Sequence, residues 1–337
     1  MKKLGLGIIG AGSIGRVHIE NLVERIPKAE VIGIADARAN EIKNWAEKLG
    51  IDTVTQEPLE LIHNPRVEAI VISSPGGTHP EFIIESAKAG KHVFCEKPIG
   101  YNLFEIKKAL DEVQRAGIKL QVGFNRRFDR NFSKVHEFIE TGKLGDIFTI
   151  NIVSRDPEPP SVEAAKISGG IFMDTTIHDF DMARFLKGNN PVQVYTVGRC
   201  LINPKYCEIG DYDTVVSILT FEDGSICTID NSLKSIYGYD QRVEVFGAKG
   251  GVIVFNERPT NAVIRDESGT HIDNPLFFFR ERYKDSYLTE MENFISCILE
   301  DKEPMVTGLD GLWATVLAIA SSKSANEKRP VKIAEIL

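Results

Sequence analysis

The segment Gly10-Ala11-Gly12-Ser13-Ile14-Gly15 follows a short apolar run, residues 4–9, and leads into apolar residues at helical spacing: Ile14, Val17, Leu22, Val23 and Ile26. A G-x-G-x-x-G pattern between a strand and a helix constrains a chain more than any other feature here, because it is the phosphate turn of a dinucleotide-binding βαβ unit. Gly10 permits the tight turn, Gly12 lets a pyrophosphate approach the backbone, and Gly15 allows the helix to pack closely. The phosphates then meet the amides of Gly12, Ser13 and Ile14 at the positive end of the helix. Alone the pattern is weak. It gains force from Asp36, which closes a second apolar run (31–35) at about the 20-residue spacing expected of the ribose-binding acid. Asp36 accepts hydrogen bonds from ribose hydroxyls and repels a 2′-phosphate, so the expected cofactor is NAD. Arg38 keeps NADP open, since a guanidinium there is able to accept a 2′-phosphate.

Further apolar runs at 69–73, 91–95 and 119–123 alternate with helical stretches such as 80–89 and 103–116. Continuous Val and Ile in strands that alternate with helices indicate a doubly wound parallel sheet. Beyond Phe124 the texture changes. A helix (132–141), a strand (147–154), a Pro-rich loop (156–160) and a helix (170–186) lead to strands at 192–198, 214–221, 225–231 and 242–246. Glu222-Asp223-Gly224 and Ala248-Lys249-Gly250 are hairpin turns, and helices near 280–300 and 309–326 close the chain. The expected fold is α/β: a Rossmann domain over 1–123, then an α+β substrate-binding and oligomerisation domain over 124–337 with a large, mostly antiparallel open sheet. The C-terminal helix is free to pack back on the first domain. A length of 337 residues accommodates two such domains.

The formal charge of -8 and the lack of a basic cluster argue against a nucleic-acid partner. No apolar run reaches the roughly 20 residues needed to span a bilayer. Glycines interrupt the first apolar stretch, so it reads as a strand and not as a signal peptide. Five cysteines, an odd number without a C-x-x-C pair, indicate neither a disulfide framework nor a zinc knuckle and fit a reducing cytoplasm.

Two loops lie at the C-terminal ends of predicted strands, where open parallel sheets bind ligands. Residues 73–79 contribute Ser74 and His79, and Glu96-Lys97-Pro98 contributes Glu96 and Lys97, as candidate cofactor contacts; each loop also reads as a plain turn. Lys97 leaves its strand where a nicotinamide would lie, and Pro98 restrains the backbone beyond it, with Lys97-Pro98 a candidate cis bond. A lysine on an exposed loop is the simpler alternative. Farther on, Asp174 and His178 stand four residues apart, hence on one face of an α-helix, beside an apolar stripe of Met173, Ile177 and Phe180. A carboxylate there holds an imidazole in one tautomer and stabilises its cation, as general-base catalysis requires. A surface pair of helix neighbours is the alternative. A metal set of Asp174, His178, Asp181 and Cys95 is rejected, because nothing else has metal-ligand spacing and Lys97 already supplies positive charge.

Taken together, the glycine loop, Glu96-Lys97-Pro98 and the segment from Asp174 to His178 resemble the Gfo/Idh/MocA oxidoreductases over essentially the whole chain. The strings Phe124-Asn125-Arg126-Arg127-Phe128-Asp129, Ser154-Arg155-Asp156-Pro157, Thr176-Ile177-His178-Asp179-Phe180-Asp181 and Tyr237-Gly238-Tyr239-Asp240-Gln241-Arg242 are most similar to inositol 2-dehydrogenases. The resemblance implies catalytic Lys97, Asp174 and His178, substrate contacts from Arg127 and Tyr237, and a homotetramer formed through the open sheet. Arg126 and Arg127 also read as a solvated pair, and Tyr237 as a core or interface aromatic. Some inositol dehydrogenases carry a histidine and an asparagine where this chain has Arg155 and Pro157, which leaves the preferred isomer open. The expected activity is NAD-dependent oxidation of a secondary hydroxyl of a cyclic polyol, myo-inositol to its 2-ketone, with His178 as base and Lys97 stabilising the alkoxide. Another polyol or sugar (scyllo-inositol, an aldose, an amino-inositol) and a non-catalytic NAD sensor are the rivals.

Overall fold

A computed structural model describes residues 3–337. The chain forms two compact units: residues up to Phe128 together with Asp285–Thr315, and Asp129–Lys284 together with Val316–Leu337. The stretch Asp285–Thr315 therefore belongs with the first 128 residues, although more than 150 residues separate them in sequence.

In the first unit six strands, β1 (Leu4–Ile9), β2 (Ala29–Ala35), β3 (Val54–Thr55), β4 (Ala69–Ile72), β5 (His92–Glu96) and β6 (Leu120–Gly123), form an all-parallel sheet in the order β3-β2-β1-β4-β5-β6. Helices α1 (Ser13–Glu24), α2 (Ala39–Lys48), α3 (Pro58–Ile62), α4 (His79–Lys88) and α5 (Leu103–Ala116) connect them. β1, β4 and β6 are buried at every residue, as strands covered on both faces must be. Leu6, Ile8, Ile34, Val71 and Phe94 of the sheet share a core with Met291, Phe294 and Ile295 of the helix Lys284–Leu299. Strand order reverses beside β1, which pairs with β2 on one side and β4 on the other. Such a switch opens a crevice at the carboxyl ends of the strands. Asn102 accepts hydrogen bonds from the Phe104 and Glu105 amides to start α5, and Gly117, left-handed at φ 65°, stops it.

The second unit is organised around β7 (Ile147–Arg155). With β8 (Gln193–Arg199), β9 (Thr214–Thr220), β10 (Ile226–Ser232), β11 (Asp240–Gly247) and β12 (Gly250–Val254) it builds a sheet that the late strand β15 (Val331–Lys332) completes, in the order β12-β11-β7-β10-β9-β8-β15. β13 (Val263–Asp266) and β14 (Gly269–Ile272) form a separate hairpin. β7 pairs parallel with β10 and antiparallel with β11, and the remaining pairs are antiparallel. Side chains alternate across this sheet with period two. Ile150, Ile152, Leu219, Cys227, Ile229, Val243 and Val245 are buried, whereas Phe148, Val216, Ile218, Ile226, Phe246 and Ile253 are exposed.

The two halves are thus a Rossmann-type parallel sheet followed by a mostly antiparallel one, the α/β class that the strand patterns indicate. The cysteine reading needs correction. Cys200 and Cys207 form a disulfide with a Cα–Cα distance of 6.0 Å, because the turn and short helix Lys205–Glu208 bring the two side chains back together. Cys95, Cys227 and Cys297 are free thiols, all buried. Among the described residues no helix is long and apolar enough to cross a membrane.

Candidate active site

In the first unit the glycine loop has the geometry a pyrophosphate needs. Gly10 has φ 95°, a conformation that disfavours any Cβ, and a Cβ there would lie 2.6 Å from the Ser74 amide nitrogen. At Gly12, by contrast, no heavy atom stands within 4 Å of a built Cβ, so the backbone is open to a close ligand. No side chain caps α1 at Gly12, leaving that role to an anion; Ser13 is exposed and Ile14 half-buried beside it. Asp36 also pins the turn itself: its Oδ2 accepts the Ala11 amide at 2.7 Å and its Oδ1 the Arg38 amide at 2.8 Å. The Arg38 guanidinium lies 3.8 Å from Asp36 and is largely exposed. These residues fit a dinucleotide.

The next two strand ends are tied to that turn and to each other. The Ser73 hydroxyl donates to the Gly10 carbonyl at 2.7 Å, and the hydroxyls of Ser74 and Thr78 share a bond of 2.7 Å. His79 is buried with Nδ1 2.7 Å from the Pro98 carbonyl oxygen and Nε2 2.8 Å from that of Ser74. Burial pushes its pKa down against the pull of those two carbonyls. Lys97 is half-buried, its bond to Pro98 is cis, and its amide donates to its neighbour Glu96 at 3.2 Å. The Cys95 thiol is fully buried and pushed well up by desolvation, which leaves it inert. Arg126 and Arg127 are not a solvated pair: both are buried, and Arg127 bonds Asp310 at 2.9 Å because the segment Asp285–Thr315 returns to this unit.

In the second unit, Asp174 and His178 lie on one continuous helical stretch, but the α-helical reading of it is corrected. Phe172–Thr176 is wound as a π-helix, and only from Ile177 does the α-helix Ile177–Lys187 begin. Wide turns of this kind recur at functional sites. Every residue from 171 to 183 is buried except Asp174 and His178, including the expected stripe of Met173, Ile177 and Phe180. A second carboxylate, Asp211, accepts the Ile171 amide at 3.1 Å, and its pKa is raised by burial and by the charge of Asp174. Gly170, at φ 77°, leaves room for it, since a Cβ there would meet the Asp211 carboxylate at 2.6 Å. Tyr237 is half-exposed, donates to Asp240 at 2.6 Å and accepts from Arg155 at 3.2 Å. Arg155 also pairs with Asp230, and these partners hold its guanidinium firmly charged.

Sequence reasoning passed over Asp211, His18 and Glu290. The last two carried a signal: a histidine between the core residues of α1 and a glutamate beside Tyr287, Met291 and Phe294 are ionisable groups where the helical pattern calls for apolar ones.

A glycine turn pinned by the acid at the end of β2, in a parallel sheet whose order reverses beside it, defines a Rossmann-type dinucleotide-binding protein. Residues 4–124 match the family model described as the oxidoreductase family, NAD-binding Rossmann fold, and residues 136–333 match its C-terminal alpha/beta domain. The chain belongs to the Gfo/Idh/MocA oxidoreductase family. It is 45% identical over 332 residues to the myo-inositol 2-dehydrogenase of Thermotoga maritima, covering 98% of this chain and 99% of that protein. It is 42% identical to the inositol 2-dehydrogenase of Rhizobium meliloti, over 97% of this chain and 98% of the relative. The structure of scyllo-inositol dehydrogenase from Lactobacillus casei with bound NAD(H) and scyllo-inositol superposes with a TM-score of 0.93 at 28% identity, over 99% of this chain and 100% of that one.

Proposed function

We propose that this NAD-binding oxidoreductase oxidises a secondary hydroxyl of a cyclic polyol, with myo-inositol and its 2-ketone as the substrate pair. The observation that carries the reading is the helical run 171–183, in which every residue but Asp174 and His178 is buried and these two are half-buried. A carboxylate and an imidazole one turn apart at the edge of an apolar run are placed where a ligand is able to reach them. In this reading His178 takes the hydroxyl proton. Asp174 orients the ring and stabilises its cation. Lys97 hydrogen-bonds the oxygen as negative charge develops on it. Bound NAD would supply the hydride acceptor. Arg127 and Tyr237 act as substrate contacts, Arg127 from a guanidinium already fixed by Asp310 and Tyr237 from a hydroxyl already fixed by Asp240.

Gly10, Gly12, Ser13 and Ile14 cradle the pyrophosphate, Asp36 takes the ribose, and Ser74, His79 and Glu96 frame the nicotinamide end. NAD is favoured over NADP because the Asp36 carboxylate is fixed in place by two amides, whereas Arg38 is largely exposed on a long side chain. The names of the relatives support inositol as the substrate class, and the exposed apolar face of the seven-stranded sheet supports a homotetramer. Use of NAD supports a cytoplasmic location. The test is a panel of polyols and sugars with NAD and with NADP, followed by nicotinamide absorbance. Turnover highest with myo-inositol and NAD is expected. Tight NAD binding with no turnover on any alcohol would overturn the assignment.

A further inference from the structure

Three ionisable side chains, of which only Glu96 has a place in the proposed site, come together in the core of the first unit. His18 of α1, Glu96 at the end of β5 and Glu290 of the helix Lys284–Leu299 present ligand-type atoms within 4.8 Å of one another, and all three are buried. His18 Nε2 lies 2.6 Å from Glu96 Oε1. Its Nδ1 has no partner, so the ring proton belongs on Nε2, donating to the carboxylate. Phe94 and Tyr287 meet the same ring edge-on and fix its plane. The second oxygen of Glu96 accepts the Lys97 amide at 3.2 Å. Across the sheet Glu96 pairs with Gly123, where a Cβ would come within 2.9 Å of the carboxylate carbon. The glycine leaves the space that the carboxylate fills.

Glu290 is different. Neither of its carboxyl oxygens has a hydrogen-bond partner, and burial together with the charge of Glu96 pushes its pKa well up. Two ionised carboxylates this close in an apolar interior would lose hydration and repel; a proton on Glu290 removes both costs. A divalent metal would neutralise them as well. However, 2.6 Å between His18 and Glu96 is a hydrogen-bond distance, shorter than the roughly 3.3 Å between two ligands on a tetrahedral ion with bonds of about 2.0 Å. A proton fits and a metal does not.

From another direction His79 ties the same backbone. Its ring lies between the Pro98 and Ser74 carbonyl oxygens, against the loop after β4 and the loop after β5, and the neutral ring donates its single N–H to one of the two. The amide of Lys97 is thus held by the buried Glu96, and the carbonyl of Pro98 lies against the buried ring of His79.

We propose that Glu96, oriented by His18, and His79 are positioning residues that aim the Lys97 side chain, with Glu290 a neutral acid that leaves Glu96 the single negative charge behind it. This rests on the role given above to Lys97. The test compares Lys97→Ala, Glu96→Gln and the double variant in kcat, substrate KM and NAD affinity. Misaiming a catalytic group costs about 10- to 100-fold, so Glu96→Gln should lower kcat measured at saturating NAD by that much. Added to Lys97→Ala it should cost nothing more in kcat at saturating NAD, because Glu96 acts on the chemical step only through that amine. Losses that multiply would overturn the positioning role and leave Lys97 catalytic. Near-normal turnover in Lys97→Ala would instead sink the catalytic role itself. His79→Asn, put through the same cycle, decides the matter should Glu96→Gln fail to fold. For Glu290, the infrared spectrum of the wild-type protein in D2O at neutral pH should contain an un-ionised carboxyl stretch that Glu290→Gln removes. Absence of that band, or a stoichiometric divalent metal that Glu290→Gln loses, would overturn the neutral acid.

Discussion

The two sheets are built by different rules. In the first, β1, β4 and β6 are buried at every residue and all neighbours run parallel; in the second, β7 and β9–β11 largely bury alternate residues and leave others, several of them apolar, exposed. The difference separates two tasks. A sheet covered on both faces offers only its strand ends to a ligand, and that is where the glycine turn, Asp36 and Lys97 lie. A sheet covered on one face keeps a whole surface for something else, and the proposed proton transfer falls to the helix carrying Asp174 and His178. If the division is sound, a change in one unit moves one constant and leaves the other alone.

The sharpest way to break that separation is His178→Asn. It should lower kcat by about 10²–10⁴, the usual worth of a general base, while NAD affinity measured by fluorescence titration does not change. A fall in NAD affinity of similar size would mean that the two tasks are not divided as described. The reciprocal change is Asp36→Ala. Hydrogen bonds to a charged group contribute about 1.5–3 kcal/mol, so KM for NAD should rise by roughly 10- to 100-fold with kcat little changed, and the preference for NAD over NADP should shrink.

A smaller effect is expected from the open sheet face. Phe246→Lys combined with Ile218→Lys places two charges among exposed apolar neighbours, and light scattering should then report a smaller assembly at unchanged NAD affinity. An unchanged mass would remove this face from the interface. The smallest is a pH effect inside the first unit. Glu290 holds its proton in the folded state to a pH above that at which the unfolded chain releases it, about 4.3. Between those two values the folded state binds more protons than the unfolded one, so stability falls as pH rises. Glu290→Gln should flatten that decline in denaturant unfolding measured from pH 4 to pH 8; an equal decline in both proteins would place its source elsewhere.

Much of the first unit was legible because its signals are local. The turn at Gly10, the acid at Asp36 and the Lys97-Pro98 step each follow a strand within one βαβ unit, and the loop between strand and helix fixes where they fall. The hairpin turns at Glu222-Asp223-Gly224 and Ala248-Lys249-Gly250 were legible for the same reason. The π-wound turn at Phe172–Thr176 was not, since it differs from an α-turn by one residue of winding and leaves the apolar pattern nearly intact. The disulfide was missed because an odd count and no close pair hide a loop of this length. The alternative of Arg126 and Arg127 as a solvated pair stayed open because the partner of Arg127, Asp310, is 183 residues away.

The amino-acid order by itself determined the alternation of strands and helices and the nucleotide turn with its acid, and it supplied the residues proposed to oxidise an alcohol, because each depends on spacing within one or two elements. Only the tertiary structure decided that β7 runs parallel to β10, that Asp285–Thr315 joins the first unit, and that His18, Glu96 and Glu290 share one buried space. Those outcomes depend on which distant segments exclude water together, and no local pattern carries that information.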